Sequence, residues 1–202
     1  TAASDDNRPV LTGVKLEIAK NSMIMAAADG FRLGVYYGKL AEDASDIVDV
    51  IIPAKYLMEL ARIIGDTDEV VEISVTPQKN QLQFKFGDVE MTTQLLSGTF
   101  PNYSQLIPQS YSTRTTVDLR EFTRAIRTAS VFARDGSGIV RIHATPGPDG
   151  GTGKMVISAR ADEVGDNTGT IDASVQGEES KIAFSGKYLT DVLSVLGTDT
   201  VA

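Results

Sequence analysis

The chain has no cysteine and no tryptophan, and a single histidine in 202 residues. Without cysteine there are no disulfides and no thiolate zinc site. With one histidine, a His-rich metal centre or a Ser-His-Asp triad would have to be built around His143. That residue lies in the alternating run Ile139-Val140-Arg141-Ile142-His143-Ala144, the pattern of a strand surface. No apolar run reaches the roughly 18 residues of a membrane span, and the first residues do not have the pattern of a secretory signal, so a cytoplasmic protein is expected. Positive charge is also short. Lys and Arg number 19 against 27 Asp and Glu, for a net charge of −8. That balance alone argues against nucleic-acid binding, because phosphate affinity comes from Lys and Arg. Where the few cations sit therefore matters more than how many there are.

What is present is a β-rich pattern interrupted by three helical stretches. Alternation predicts strands over 11–18, 23–28 and 31–37, with a turn at Asn21-Ser22 and a polar loop over 41–46. A β-branched run over 47–52 stops at Pro53. Leu57, Leu60, Ala61 and Ile64 then recur at helical spacing, with Gly65 placed as a C-cap. Strands follow over 70–75, 81–86 and 89–95. The stretch 97–103 breaks the pattern and 108–113 reads as a connector. Beyond it come a strand over 115–117, a helix from Asp118 to about Arg134, strands over 139–144, 155–159, 168–175 and 181–185, and a helix over 187–196. Asp118 with Glu121 three residues on is a capping-box-like start.

The second half repeats the first. Ile52-Pro53-Ala54-Lys55-Tyr56-Leu57 matches Phe184-Ser185-Gly186-Lys187-Tyr188-Leu189 at an offset of 132, and Met23-Ile24-Met25 matches Met155-Val156-Ile157 at the same offset. Val14-Lys15-Leu16 matches Val140-Arg141-Ile142 at 126, as Ala3-Ser4 matches Ala129-Ser130. The offset changes only where residues 19–22 give way to the Gly/Pro-rich loop 145–154, ten residues against four. A register shift confined to one hairpin loop implies two copies of one α+β domain. The first copy's counterpart of 115–128 would lie before Thr1. The second copy reaches Ala202, where the first continues through three more strands.

Two stretches carry candidate function. On a helix over 118–134, Arg120, Arg124, Arg127 and Arg134 fall within about 80° of one another, opposite Leu119, Phe122, Ile126, Ala129 and Ala133. An arginine stripe on an acidic chain can hold phosphates without reading sequence. Lys55 and Arg62 share a face of the first copy's helix, with Glu59 between them, and Lys187 occupies the matching face in the second copy. The other stretch is Ala28-Asp29-Gly30-Phe31-Arg32-Leu33. Asp-Gly between alternating hydrophobics is a hairpin signal, but a hairpin does not call for an aromatic and a guanidinium directly after the turn. The sister copy has Ala161-Asp162-Glu163-Val164 there, so the fold does not require Gly-Phe-Arg. Asp29 with Asp5 or Asp6 could in principle form a carboxylate pair for metal or acid–base work, but nothing in the spacing selects them.

Several segments together resemble the bacterial sliding clamp, the beta subunit of DNA polymerase III. They are Arg8-Pro9-Val10-Leu11-Thr12-Gly13-Val14, Ala27-Ala28-Asp29-Gly30-Phe31-Arg32-Leu33, Ile52-Pro53-Ala54-Lys55, Gly98-Thr99-Phe100-Pro101-Asn102-Tyr103, Val131-Phe132-Ala133-Arg134-Asp135 and Lys187-Tyr188-Leu189. The resemblance spans essentially the whole sequence. It implies an α+β fold of repeated clamp domains, with antiparallel sheets outside and helices on the inner, DNA-facing side. Residues 1–110 would be the middle domain, lacking its first strand and most of its first helix, and 111–202 a truncated C-terminal domain. The implied function is a non-catalytic DNA sliding clamp, a nucleoid-associated processivity factor without cofactor or metal, whose full-length form is a ring-shaped homodimer. The alternative is a clamp-like peptide-binding module that does not encircle DNA. Implied partners are duplex DNA, the polymerase III catalytic subunit, the clamp loader and other proteins with a clamp-binding segment. The resemblance points to Arg8, Lys55, Arg62, Arg120, Arg124, Arg127 and Lys187 for DNA. For the peptide pocket it points to Leu11, Ala28, Gly30, Phe31, Arg32, Leu33, Pro101, Gln105 and Leu106, with further pocket residues beyond Ala202. Family members often carry Thr at the position of Ala28, His at that of Phe31 and a basic residue at that of Gln105, so a more apolar pocket is expected here.

Overall fold

The computed structural model describes residues 1–4, 7–66, 69–134, 136–161 and 165–202. Asp5, Asp6, Asp135 and the Asp162-Glu163-Val164 counterpart of the Gly-Phe-Arg stretch lie outside them. The chain divides into two compact units, Thr1–Ile107 and Pro108–Ala202.

In the first unit a 3-10 turn, Pro9–Thr12, leads into β1 (Gly13–Ala19), β2 (Ser22–Ala28), β3 (Leu33–Lys39) and β4 (Val48–Pro53), which form an antiparallel sheet in the order β3-β2-β1-β4. Helix α1 (Ala54–Ile64) follows directly, and Gly65, at φ 60, closes it by donating its N–H to Ala61 O. Strands β5 (Glu72–Val75), β6 (Gln81–Phe86) and β7 (Val89–Gln94) make a separate three-stranded sheet. Strand side chains alternate between faces, and β4 shows the consequence. Ile52 packs with Leu16, Ile18, Leu60 and the Leu82, Phe84, Phe86 face of β6. Its neighbour Ile51 packs on the other side with Leu11, Ala26, Phe100 and Tyr103. The second face is closed by the segment after β7, whose last turn is a 3-10 helix, Tyr103–Leu106.

The second unit comprises β8 (Thr113–Asp118), α2 (Leu119–Arg134), β9 (Ile139–Thr145), β10 (Gly153–Ala161), β11 (Gly165–Gly177), β12 (Ser180–Ser185), α3 (Gly186–Leu193) and β13 (Thr200–Val201). Its sheet runs β12-β9-β10-β11-β8-β13. The five residues predicted for the apolar face of α2 are its buried residues, and they sit on Val140, Ile142, Met155 and Ile157. The repeat reappears as topology: β12-β9-β10-β11 has the order β4-β1-β2-β3. It reappears as register too. Leu16 faces Met25 and Val50 as Ile142 faces Ile157 and Ile182, at the sequence offsets of 126 and 132. Only the last hairpin slips. Met25 faces Tyr36, whereas Ile157 faces Gly169, one residue beyond the counterpart of Tyr36.

Some boundaries differ from expectation. The first strand starts at Gly13 and not at residue 11, because Pro9 opens a 3-10 turn that the Thr12 hydroxyl closes onto Pro9 O at 2.7 Å. The third starts at Leu33 and not at 31, because the Asp29 side chain holds residues 31 and 32 in the turn. The last helix stops at Leu193 and not at 196, where Ser194 bonds back to the carbonyls of Thr190 and Asp191. Ala3, matched in sequence to Ala129 of α2, is not helical here. Its N–H goes to Leu11 O at 2.8 Å. Strand β13 has no counterpart in the sequence pattern, since two residues carry no periodicity.

Candidate functional site

The arginine face is built by the start of α2. The Asp118 carboxylate accepts from the Glu121 N–H at 2.8 Å, which fixes the first turn and so the angular phase of everything after it. With Leu119, Phe122 and Ile126 buried, Arg120, Arg124 and Arg127 are left exposed on the opposite face. Among the described residues, none of the three guanidiniums has an ion pair or a hydrogen bond. Arg134 is exposed at the helix end. The three unpaired arginines edge a groove of about 600 Å³, whose other wall is residues 196–199 after α3. That wall has no sequence signal. It is placed by Leu119 N–H donating to Asp199 O at 2.9 Å and by the pairing of β13 with β8.

The other cations predicted to contact DNA are spread more widely. Lys187 is exposed at the start of α3. On α1, Arg62 is paired with Glu59 at 2.7 Å and Lys55 lies 4.7 Å from the centre of the Tyr56 ring. Arg8 is not on a helix. Its Nη2 donates to Asp29 O at 3.0 Å, so it braces the Asp-Gly turn. In the second unit, His143 is a strand-surface residue, with Nε2 2.7 Å from Glu179 Oε1. Its neighbourhood and that of Lys181 hold the Glu179 carboxyl below its usual range. Among the described residues no three His, Cys, Asp or Glu stand together as a metal site, and no helix is long and apolar enough to cross a membrane.

The turn after β2 explains what Gly-Phe-Arg does. Gly30 has φ +95, which a side chain rarely adopts, and a Cβ there would lie 2.6 Å from Arg8 Nη1. Asp29 Oδ1 accepts from the N–H groups of Phe31 and Arg32 at 2.9 and 3.0 Å, while Oδ2 takes Arg32 Nε at 2.9 Å. Burial pushes this carboxyl up, and the bonds from Phe31 and Arg32 outweigh it, leaving it below its ordinary value. The Arg32 guanidinium is therefore immobilised and Phe31 is driven outward, 82% exposed. Leu33 and Ala28 are half-buried against Leu11. Leu11 itself is buried in the core, so it supports the surface from beneath and does not form an open floor. Pro101, Gln105 and Leu106 are exposed, Leu106 by 64%.

Residues 1–102 match the model of the DNA polymerase III beta subunit central domain, and residues 104–202 that of its C-terminal domain. This chain belongs to the DNA polymerase III beta subunit family. It is 37% identical over 200 residues to the beta sliding clamp of Staphylococcus aureus, covering 98% of this chain and 51% of that protein. To the Bacillus subtilis beta sliding clamp it is 35% identical over 196 residues, covering 96% and 50%. The crystal structure of the Bacillus subtilis DNA polymerase sliding clamp superposes with a TM-score of 0.90 at 34% identity, covering 99% of this chain and 51% of that one. The Streptococcus pneumoniae DNA polymerase III beta chain gives 0.87 at 28% identity, covering 99% and 52%. The chain thus has the α+β clamp-domain fold, and it spans about half the length of the curated relatives it matches.

Proposed function

We propose that this chain forms the middle and C-terminal parts of a DNA sliding clamp, a non-catalytic processivity factor of DNA replication. Residues 1–110 would be the middle domain and 111–202 the start of the last. In the whole protein, two subunits would close into a ring around duplex DNA in the cytoplasm. Half-buried Met23 and Met25 support this division. Their counterparts Met155 and Ile157 are buried under α2, so Met23 and Met25 keep apolar surface that a matching helix would cover. The observation that carries the DNA reading is the face of Arg120, Arg124 and Arg127. Three uncommitted guanidiniums share one helix face in a protein of net charge −8. An acidic surface elsewhere would repel the duplex from the wrong side. Contacts to phosphate alone carry no sequence information and leave the duplex free to slide.

The second working surface would be the turn at Phe31 and Arg32 with Pro101, Gln105 and Leu106. It would take short linear segments of the polymerase III catalytic subunit, the clamp loader and other partners. An exposed aromatic beside a fixed guanidinium gives such a segment an apolar anchor and a charged guide.

Charge reversal separates the two surfaces. Arg120→Glu, Arg124→Glu and Arg127→Glu together should weaken loading and retention on DNA and leave peptide affinity unchanged. Single or double reversals should make the salt dependence shallower by about 0.9 in log–log slope for each phosphate that is no longer neutralised. Unchanged DNA retention in the triple variant would overturn the reading.

A further inference from the structure

We infer that Tyr103 is a positioning residue for the peptide surface. It sets the segment carrying Pro101, Gln105 and Leu106 through its hydrogen bond to Glu17. This inference rests on the peptide-binding reading of that surface.

Residues 97–107 cross one face of the four-stranded sheet without joining a strand ladder, ending in the 3-10 turn Tyr103–Leu106, so side chains set where the segment lies. Phe100 and Tyr103 point inward, edge to face with ring centres 6.5 Å apart, and join Leu11, Ala26 and Ile51. Pro101, Gln105 and Leu106 face outward from the same segment. Apolar packing fixes depth but is non-directional. Direction comes from the Tyr103 hydroxyl, which donates to Glu17 Oε2 at 3.1 Å. Burial pushes the phenol pKa up, and Glu17 adds to it, so the hydroxyl stays a donor throughout the neutral range.

Glu17 is itself held. It stands opposite Asp49 in the β1–β4 ladder, a pairing of like charges that costs stability unless offset. Lys15 offsets it, with Nζ 2.8 Å from Glu17 and 3.4 Å from Asp49. The sister unit builds the same pair of strands with other charges. At the matching positions it has Arg141 for Lys15, His143 for Glu17 and Lys181 for Asp49, again with His143 opposite Lys181. The two acids are replaced by basic side chains. The acid that accepts from Tyr103 thus has no acidic counterpart at the matching position of the other unit.

The test uses the whole protein and, as probe, a fluorescein-labelled peptide of the clamp-binding segment of the polymerase III catalytic subunit. Tyr103→Phe keeps the ring and its packing and removes only the hydroxyl. It removes one intramolecular hydrogen bond to a charged group, so it should lower the melting temperature by a few degrees and, by loosening the segment, raise the peptide Kd up to about tenfold, with DNA retention intact. Glu17→Gln keeps an acceptor and should preserve affinity. Glu17→Ala should match Tyr103→Phe, and the double variant should be no weaker than either single one. An unchanged Kd in Tyr103→Phe, or equal effects of Glu17→Gln and Glu17→Ala, would overturn the inference. Loss of binding in Phe31→Ala without loss in Tyr103→Phe defeats this inference alone. No loss in Phe31→Ala defeats the peptide reading beneath it.

Discussion

Phe31→Ala is the sharpest perturbation of the proposed peptide surface, because the structure makes its two effects unequal. The ring is 82% exposed and packs into no core cluster, so removing it should shift stability by no more than about 0.5 kcal/mol. If a partner's apolar side chain covers it, burying such a group contributes about 1.5–3 kcal/mol. That corresponds to a rise in peptide Kd of roughly ten- to a hundredfold. Arg32→Ala is a less clean change. It removes the Nε donor from Asp29 Oδ2 and leaves the carboxylate with two backbone N–H groups. A hydrogen bond between charged groups contributes about 1.5–3 kcal/mol, so this variant should lower both affinity and melting temperature. The assay is fluorescence anisotropy of the labelled peptide on the whole protein, with thermal melts of the same preparations. A large drop in melting temperature for Phe31→Ala would return the ring to a structural role. Unchanged peptide affinity would remove it from the site.

Further tests follow from the same geometry. Gly186→Ala places a Cβ 2.7 Å from Ser130 Oγ and 3.0 Å from Val140 Cγ2. It should cost about 1–3 kcal/mol by overpacking, seen as a lower denaturation midpoint. Ser130→Ala should relieve part of that loss, since the Ser130 hydroxyl is buried without a partner among the described residues. The Asp29 carboxyl is depressed in the folded protein, so its contribution is complete above the unfolded value near 4 and is lost as pH falls through the lower native value. The stability gap between the protein and its Asp29→Asn variant should therefore be constant from neutral pH to about 5 and close below about 4. A gap that widens in acid would contradict the assignment.

Much of this is legible in the sequence because the repeat carries its own check. Val14-Lys15-Leu16 and Met23-Ile24-Met25 have counterparts at fixed offsets, and those offsets reproduce the ladder register of both hairpins and the sheet order. The buried face of α2 is legible because period 3.6 leaves little freedom once Asp118 sets the start. The failures are local. Leu11 reads as strand by alternation, but Pro9 at the first position of a 3-10 turn governs it. Arg8 reads as one more basic residue, while its bond to Asp29 O spans 21 positions. The Tyr103–Glu17 bond spans 86. Neither long-range bond leaves a spacing to detect. The far wall of the arginine groove escapes the sequence for a similar reason. Residues 196–199 are placed by a two-residue strand and one backbone bond to Leu119.

In the proposed ring, the arginine face lines a channel that holds duplex DNA by topology and weak phosphate binding. The most direct measurement loads the whole protein onto nicked circular DNA, then compares its dissociation half-life with that on the same DNA linearised. Long retention on the circle and rapid loss from the free ends are expected, with the triple arginine reversal loading less well onto either DNA. Equal half-lives on circular and linear DNA would contradict the proposed ring.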